Sequence, residues 1–302
     1  MISMDKCNIC PRLCNANRNS VKTGYCNTNL NFSISTICRH LGEEPFISGS
    51  SGICNIFFTG CNLRCIYCQN HQISRAKSTP NFEMSFHQVI AQILELLESG
   101  CHSVGFVSPS HVIPQVKAII CHLKKIGAKT TFVYNTNSYD KLSTIKELDG
   151  LIDVYLPDFK YMDSKIAKDF SDAANYPEIA SAAIKEMYRQ VGSGIEIDND
   201  DYAKRGLIIR HLVLPGNVEN SLSVLRYIAK DISNEIHISL MSQYHPIPEV
   251  MNHPLLSREL RFEEYKIVTQ ELEELGFENG RVQELESSKH FLPDFENENP
   301  FG

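Results

Sequence analysis

No excess of basic charge, no long apolar run and no export signal mark this chain of 302 residues, and each lack excludes a class of protein. With 29 Lys and Arg against 36 Asp and Glu the formal charge is −7, so the surface as a whole is not an electrostatic trap for nucleic acid, though a local basic patch stays open. No apolar stretch reaches the roughly 18 residues that a membrane helix needs, which leaves no membrane partner to expect. The opening Met-Ile-Ser-Met-Asp-Lys-Cys lacks the apolar core of a secretory signal, so a cytoplasmic location is expected. Length alone predicts two domains or one large barrel.

Cysteine, by contrast, is abundant. There are eleven, an odd number, and nine precede residue 70. In a reducing compartment a disulfide framework is not expected, and clustered thiols read first as ligands for a metal or a cluster. Scattered at random at this frequency, any one three-cysteine spacing would occur about 0.015 times in the chain, so a spacing match carries weight.

The sharper match is Cys61-Asn-Leu-Arg-Cys65-Ile-Tyr-Cys68. It follows Ile53 to Phe58, a β-branched and aromatic run that reads as a buried strand ended by Thr59-Gly60. Three thiolates cannot saturate a tetrahedral zinc or a four-iron cluster, so one coordination position is left for chemistry. A closed zinc site that borrows His71 or Cys54 as its fourth ligand is the other reading of the same residues. The second match is Cys7-Asn-Ile-Cys10-Pro-Arg-Leu-Cys14, completed by Cys26. Four thiolates close a site, which predicts a structural zinc or a second iron–sulfur cluster whose binding energy folds a segment poor in core residues. The plainer alternative is four reduced cysteines on a tail. Cys38, Cys54, Cys101 and Cys121 are simplest as small buried hydrophobes.

Beyond residue 50 apolar runs alternate with amphipathic stretches. Strands are predicted at Ile53 to Phe58, Ser103 to Val107, Thr130 to Tyr134, Ile152 to Leu156, Gly206 to Leu214 and Glu235 to Leu240. Helices are predicted at Phe86 to Glu98, with Ser85 and Gln88 as a capping box, and at Ile113 to Ile126, Leu142 to Leu148, Pro177 to Val191, Leu222 to Ile232 and Phe262 to Leu275. Consecutive βα units make a parallel sheet, whose ligands bind at the carboxyl ends of the strands, where the Cys61 triad falls. The polar stretch Gly192 to Lys204 reads as an exposed loop. The last 27 residues carry six acids and two bases, which predicts a solvated tail. The expected organisation is therefore a Cys-rich segment at 1–50, an α/β barrel at 51–276 and an acidic tail at 277–302.

The Cys61 triad resembles that of the radical S-adenosylmethionine (SAM) enzymes, whose motif follows the first strand of a partial (β/α)6 TIM-type barrel. The likeness extends to His40-Leu-Gly-Glu-Glu-Pro45, Phe57 through Asn70, Tyr155 through Tyr161, Arg210 through Gly216 and Leu240 through Tyr244, which look like PflX-type proteins of the pyruvate formate-lyase activating-enzyme branch. It implies that Cys61, Cys65 and Cys68 hold a [4Fe-4S] cluster whose fourth iron takes SAM, and that reductive cleavage yields a 5′-deoxyadenosyl radical for hydrogen abstraction. Such an oxidoreductase draws its electron from a flavodoxin- or ferredoxin-type donor. An activase-like role would make its substrate a protein, a glycyl-radical enzyme. Catalytic residues beyond the cofactor sites are not identified.

The same resemblance places Tyr67 near the adenine, with loop packing as the alternative. Where the activating enzymes carry Gly-Gly-Glu-Pro this chain has Val107-Ser-Pro-Ser-His111, so Ser108 or a backbone carbonyl stands in for the contact to the methionyl amine. Asp158 and Lys160 match an Asp-x-Lys of the SAM pocket or form a barrel-end ion pair. Asn135 and Asn137 reach the ribose or make a turn. His245 matches a pocket histidine, and His211 reads as a core histidine. The competing function is a non-catalytic iron–sulfur or zinc module for electron transfer or nucleic-acid binding, for which Lys6, Arg12, Arg18 and Lys22 supply local positive charge. The open iron position favours the enzyme.

Overall fold

A computed structural model describes residues 5–19, 24–75, 83–285, 293–297 and 299–301, so that Lys22 lies outside the described residues. Its centre is the run Ile53–Phe58 (β2), every residue of which is buried. Burial on both faces is what a continuous apolar run achieves in a parallel sheet covered by helices. Strands Ser103–Val107 (β4), Thr131–Thr136 (β5), Val154–Pro157 (β6), Ala203–Leu212 (β8), His237–Met241 (β9) and Gly280–Val282 (β10) follow β2 in parallel. Helices Phe86–Glu98 (α3), Ile113–Lys125 (α4), Leu142–Lys146 (α5), Ser164–Ser171 (α6), Tyr176–Val191 (α7), Val218–Asp231 (α8) and Phe262–Glu274 (α9) alternate with them. Among the described residues the two edges of the sheet do not pair with each other, and the fold is a partial barrel.

Local chemistry explains the boundaries. Ser85 accepts from the Gln88 backbone N–H while the Gln88 side chain accepts from the Ser85 N–H, the reciprocal box that starts α3. Its buried face is Val89, Ile90 and Ile93. Asp163 caps α6 by accepting from the N–H groups of Lys165 and Ile166. This helix and the short strands Glu83–Met84 (β3) and Glu196–Ile197 (β7) were not expected. The last of these turns the Gly192 to Lys204 loop into a hairpin arm on β8.

The Cys-rich segment is knitted into the same body. Phe32–His40 (β1) pairs antiparallel with β2, and Cys7, Ile9 and Ile34 join the core cluster that contains Ile56 and Phe106. Short helices Pro45–Ser48 (α1) and His71–Ser74 (α2) flank β2. Two expectations are corrected. Cys121 is exposed on α4, unlike the buried Cys38, Cys54 and Cys101. The tail is not simply solvated, since its acids alternate with aromatics that find an apolar surface: Phe295 stacks edge-on to Phe57 at 5.3 Å, and Phe301 lies 4.2 Å from the His40 ring. No helix among the described residues is long and apolar enough to cross a membrane.

Candidate functional site

The carboxyl ends of β2, β4, β5, β6 and β8 surround a cavity of about 210 Å³, lined by Cys61, Cys65 and Cys68 on one side and by charged and amide side chains on the other. The loop after β2 is built around these thiols. Gly60, at a φ of +74°, lets the chain leave the strand. Ile66 N–H then donates to the Phe170 carbonyl at 2.8 Å, and the Gln69 amide donates to the Gln243 carbonyl at 2.9 Å. Arg75 donates to the carbonyl of Cys65. The loop is held from two distant parts of the chain and from the residue that ends the next short helix.

Each sulfur of the triad receives a donor. Asn137 Nδ2 stands 3.4 Å from Cys61 Sγ, Ser171 Oγ 3.0 Å from Cys65 Sγ and Ser74 Oγ 3.5 Å from Cys68 Sγ. Burial pushes the Cys61 thiol up to about 12, the neighbouring Cys65 adding to it, and burial raises Cys65 as well, against the pull of Lys160. Thiols so placed become thiolates only when a cation joins them. Donors aimed at sulfur suit a thiolate-held iron–sulfur cluster, so the residues present fit that group. Among the described residues no three His, Cys, Asp or Glu side chains are already set as a metal site.

The opposite wall is an ion network. Asp158 pairs with Lys160 at 2.7 Å and with Arg210 at 2.8 Å, and Arg210 reaches Glu43 at 3.4 Å. Two acids thus meet two bases with no net charge. Burial pushes Asp158 upward, but Arg210 and Lys160 outweigh it and hold the carboxyl below its usual range. Burial lowers Arg210 and Lys160 likewise, but Asp158 with Glu43 and Glu44 raises Arg210 above its ordinary value, and Asp158 with Cys65 does the same for Lys160. Asn135 joins by accepting from Arg210 at 2.7 Å and donating to Glu43 at 3.1 Å.

Of the residues expected from sequence, Tyr67, Ser108, Asn135, Asn137, Asp158 and Lys160 all line this cavity. The Tyr67 hydroxyl meets that of Tyr161 at 2.5 Å, and Tyr161 meets Ser171 at 2.7 Å, so this phenol belongs to a buried chain ending at Cys65. His245 is outside the lining, 3.8 Å from the Glu259 carboxylate. His211 is a satisfied core histidine: Nδ1–H donates to the Phe159 carbonyl at 2.6 Å and Nε2 accepts from Ser221 at 2.9 Å. Glu43 and Arg210 were missed as site residues. A charge inside the apolar run of β8 was the available signal for Arg210. Cys7, Cys10 and Cys26 are buried and Cys14 is exposed, all behind the Cys61 loop.

Residues 55–198 match the family model described as the radical SAM superfamily. An uncharacterized protein of Methanocaldococcus jannaschii is 29% identical over 263 residues, covering 85% of this chain and 71% of that protein. Among solved structures, Streptococcus suis SuiB bound to precursor peptide SuiA aligns with a TM-score of 0.53 and 12% identity over 78% of this chain and 50% of SuiB. SuiB bound to S-adenosylmethionine aligns with a TM-score of 0.51 and 12% identity over 75% and 48%. This chain spans about half the length of SuiB, and at that identity the likeness is one of fold.

Proposed function

We propose that the chain, whose residues 55–198 match the radical SAM superfamily, is an enzyme that cleaves SAM reductively to abstract hydrogen from a polypeptide substrate. Cys61, Cys65 and Cys68 would hold three irons of a [4Fe-4S] cluster, leaving the fourth for SAM. When bound there, the reduced cluster supplies the electron that splits SAM into methionine and a 5′-deoxyadenosyl radical. The rest falls to the protein. Asn137, Ser171 and Ser74 donate to the sulfurs and so set how much negative charge the cluster tolerates. Lys160 and Asp158 offer one cation and one carboxylate to the zwitterionic end of SAM, and Arg210 keeps Asp158 ionised. Glu43 brings to the same cavity the carboxylate that Val107 through His111 lack.

The observation that carries the reading is a donor at each sulfur beside a charge-balanced cavity at the strand ends. A metal module without catalysis leaves that cavity unexplained. A polypeptide substrate is favoured because Pro293 and Phe301 of the chain's own tail already form part of the cavity wall. SuiB, which shares the fold, is captured with a precursor peptide. An activase-like role on a glycyl-radical enzyme, with a flavodoxin or ferredoxin as reductant, is the finer form of the same proposal.

Its test is direct. The protein is reconstituted anaerobically with iron and sulfide, reduced with dithionite and given SAM. Wild type should release 5′-deoxyadenosine, and Cys65→Ala should fall to background. Release that survives Cys65→Ala, or its absence from fully loaded wild type, would overturn the proposal.

A further inference from the structure

Arg18 is 1% exposed and, among the described residues, lies within ion-pair range of no carboxylate. Among the described residues its guanidinium donates to three neutral oxygens, the His111 carbonyl at 2.5 Å, Thr28 Oγ1 at 2.7 Å and the Asn29 carbonyl at 2.8 Å, and to one sulfur, Cys7 Sγ. Nε has no partner. A guanidinium cannot shed its proton to escape burial, so a buried one calls for an anion nearby. Two thiols stand beside it that could supply one. Cys7 Sγ is 4.0 Å from Arg18, and Cys26 Sγ is 3.1 Å from the same Thr28 hydroxyl that Arg18 binds.

Those two sulfurs belong to a gathered set. Cys10 is buried like Cys7 and Cys26, and Cys14 Sγ lies against Gly24, two residues before Cys26. The chain turns tightly to bring them there: Asn15 N–H donates to the Cys7 carbonyl at 3.0 Å and Leu13 N–H to the Cys10 carbonyl at 3.2 Å, with left-handed backbone at Leu13 and Asn15. Any Cβ on Gly24 would overlap Cys14 Sγ, so only glycine lets that thiol lie against the turn.

We infer that Cys7, Cys10, Cys14 and Cys26 hold a second metal centre as four thiolates, that its negative charge is what Arg18 answers, and that it braces the loop carrying Cys61. Four thiols give their protons to solvent on binding, and a dication or a doubly charged iron–sulfur core among four thiolates carries a net charge of about −2. The brace is visible on the far side of the same segment. Arg12, between Cys10 and Cys14, donates to the Asn62 carbonyl at 2.8 Å and the Asp172 carbonyl at 2.6 Å, and Ser171 beside it donates to Cys65 Sγ. Tyr25, next to Cys26, lies between the guanidinium groups of Arg12 at 3.8 Å and Arg64 at 4.1 Å. Zinc and an iron–sulfur unit share this chemistry, and metal analysis separates them. The inference goes beyond the Cys61 reading and stands or falls apart from it.

The full chain bearing Cys61→Ala, Cys65→Ala and Cys68→Ala, purified anaerobically, should retain metal: zinc without sulfide, or iron with sulfide. Adding Cys10→Ser and Cys26→Ser should remove it. A triple variant without metal, or a quintuple variant that keeps it, would overturn the site. Arg18→Met should weaken retention against a chelator by about tenfold or more, with Arg18→Lys partly restoring it. Equal retention by wild type and Arg18→Met would overturn the charge pairing. Arg12→Ala should keep the second metal but shift the electron paramagnetic resonance spectrum of the reduced Cys61 cluster, and an unshifted spectrum would overturn the brace.

Discussion

Arg210 ties together three residues that lie 52, 75 and 167 positions away in the chain: Asp158, Asn135 and Glu43. Removing one partner of a buried charge network leaves the others uncompensated, so Arg210→Met should cost about 3–5 kcal/mol of unfolding free energy in a urea titration and weaken SAM binding in the same sample. Separation also explains why Glu43 and Arg210 escaped sequence reasoning. Cysteine spacing is local and was legible at once, whereas an ion network exists only after folding. Two buried histidines add a pH dependence. Burial holds both His111 and His211 near a pKa of about 4, well below the ordinary imidazole value. The unfolded chain then binds more protons than the native one below about pH 6.5, so the stability is full above that value and lost as pH falls toward 4. Between pH 7 and pH 5 each should remove about 2 kcal/mol, read from urea titrations, and His211→Gln should delete its share of the slope.

Strands and helices with strong periodicity were legible. The buried run of β2, the capping box of α3 and the left-handed Gly127 after α4 follow from side-chain pattern and backbone freedom alone. What escaped was short or carried by its partners. The eight residues of α6 are mostly polar and stand on a single Asp163 cap, while β1 lies in a segment whose cysteines drew attention away from its pairing with β2. Just past the carboxyl end of β2, Gly60 is the critical position. A Cβ there would overlap the Cys26 carbonyl and the Thr28 side chain, and the positive φ adds strain of its own. Gly60→Ala should therefore cost about 1–3 kcal/mol and lower the iron content of the reconstituted protein, measured by thermal unfolding and metal analysis.

Over the whole molecule the barrel and the tail form one enclosure. Gln72 receives the Phe295 N–H at 2.9 Å and donates to Asp294 at 3.0 Å, which seats Phe295 on Phe57 and Phe301 at the cavity rim. Charge counting predicted a solvated tail because it weighs acids and ignores where the two phenylalanines can bury area. The pair Phe295→Ala and Phe301→Ala should leave the fold intact by circular dichroism and hasten loss of the cluster's visible absorbance in air. An unchanged rate would show that the tail does not shield the site.

The tie from Gln69 to Gln243 spans 174 residues and sets a schedule for the chain's manufacture. At roughly 5–20 residues per second, on the order of ten to thirty-five seconds pass between translation of Cys61 and of the segment that closes its loop. Throughout that interval three neighbouring thiols exist without their donors, their pocket or their roof, open to oxidants and to whatever soft metal arrives first. On the proposed function, loading of a cluster at Cys61, Cys65 and Cys68 would therefore be a late event in the life of the nascent chain, and conditions that slow translation should lower the yield of correctly metallated protein more than the yield of polypeptide.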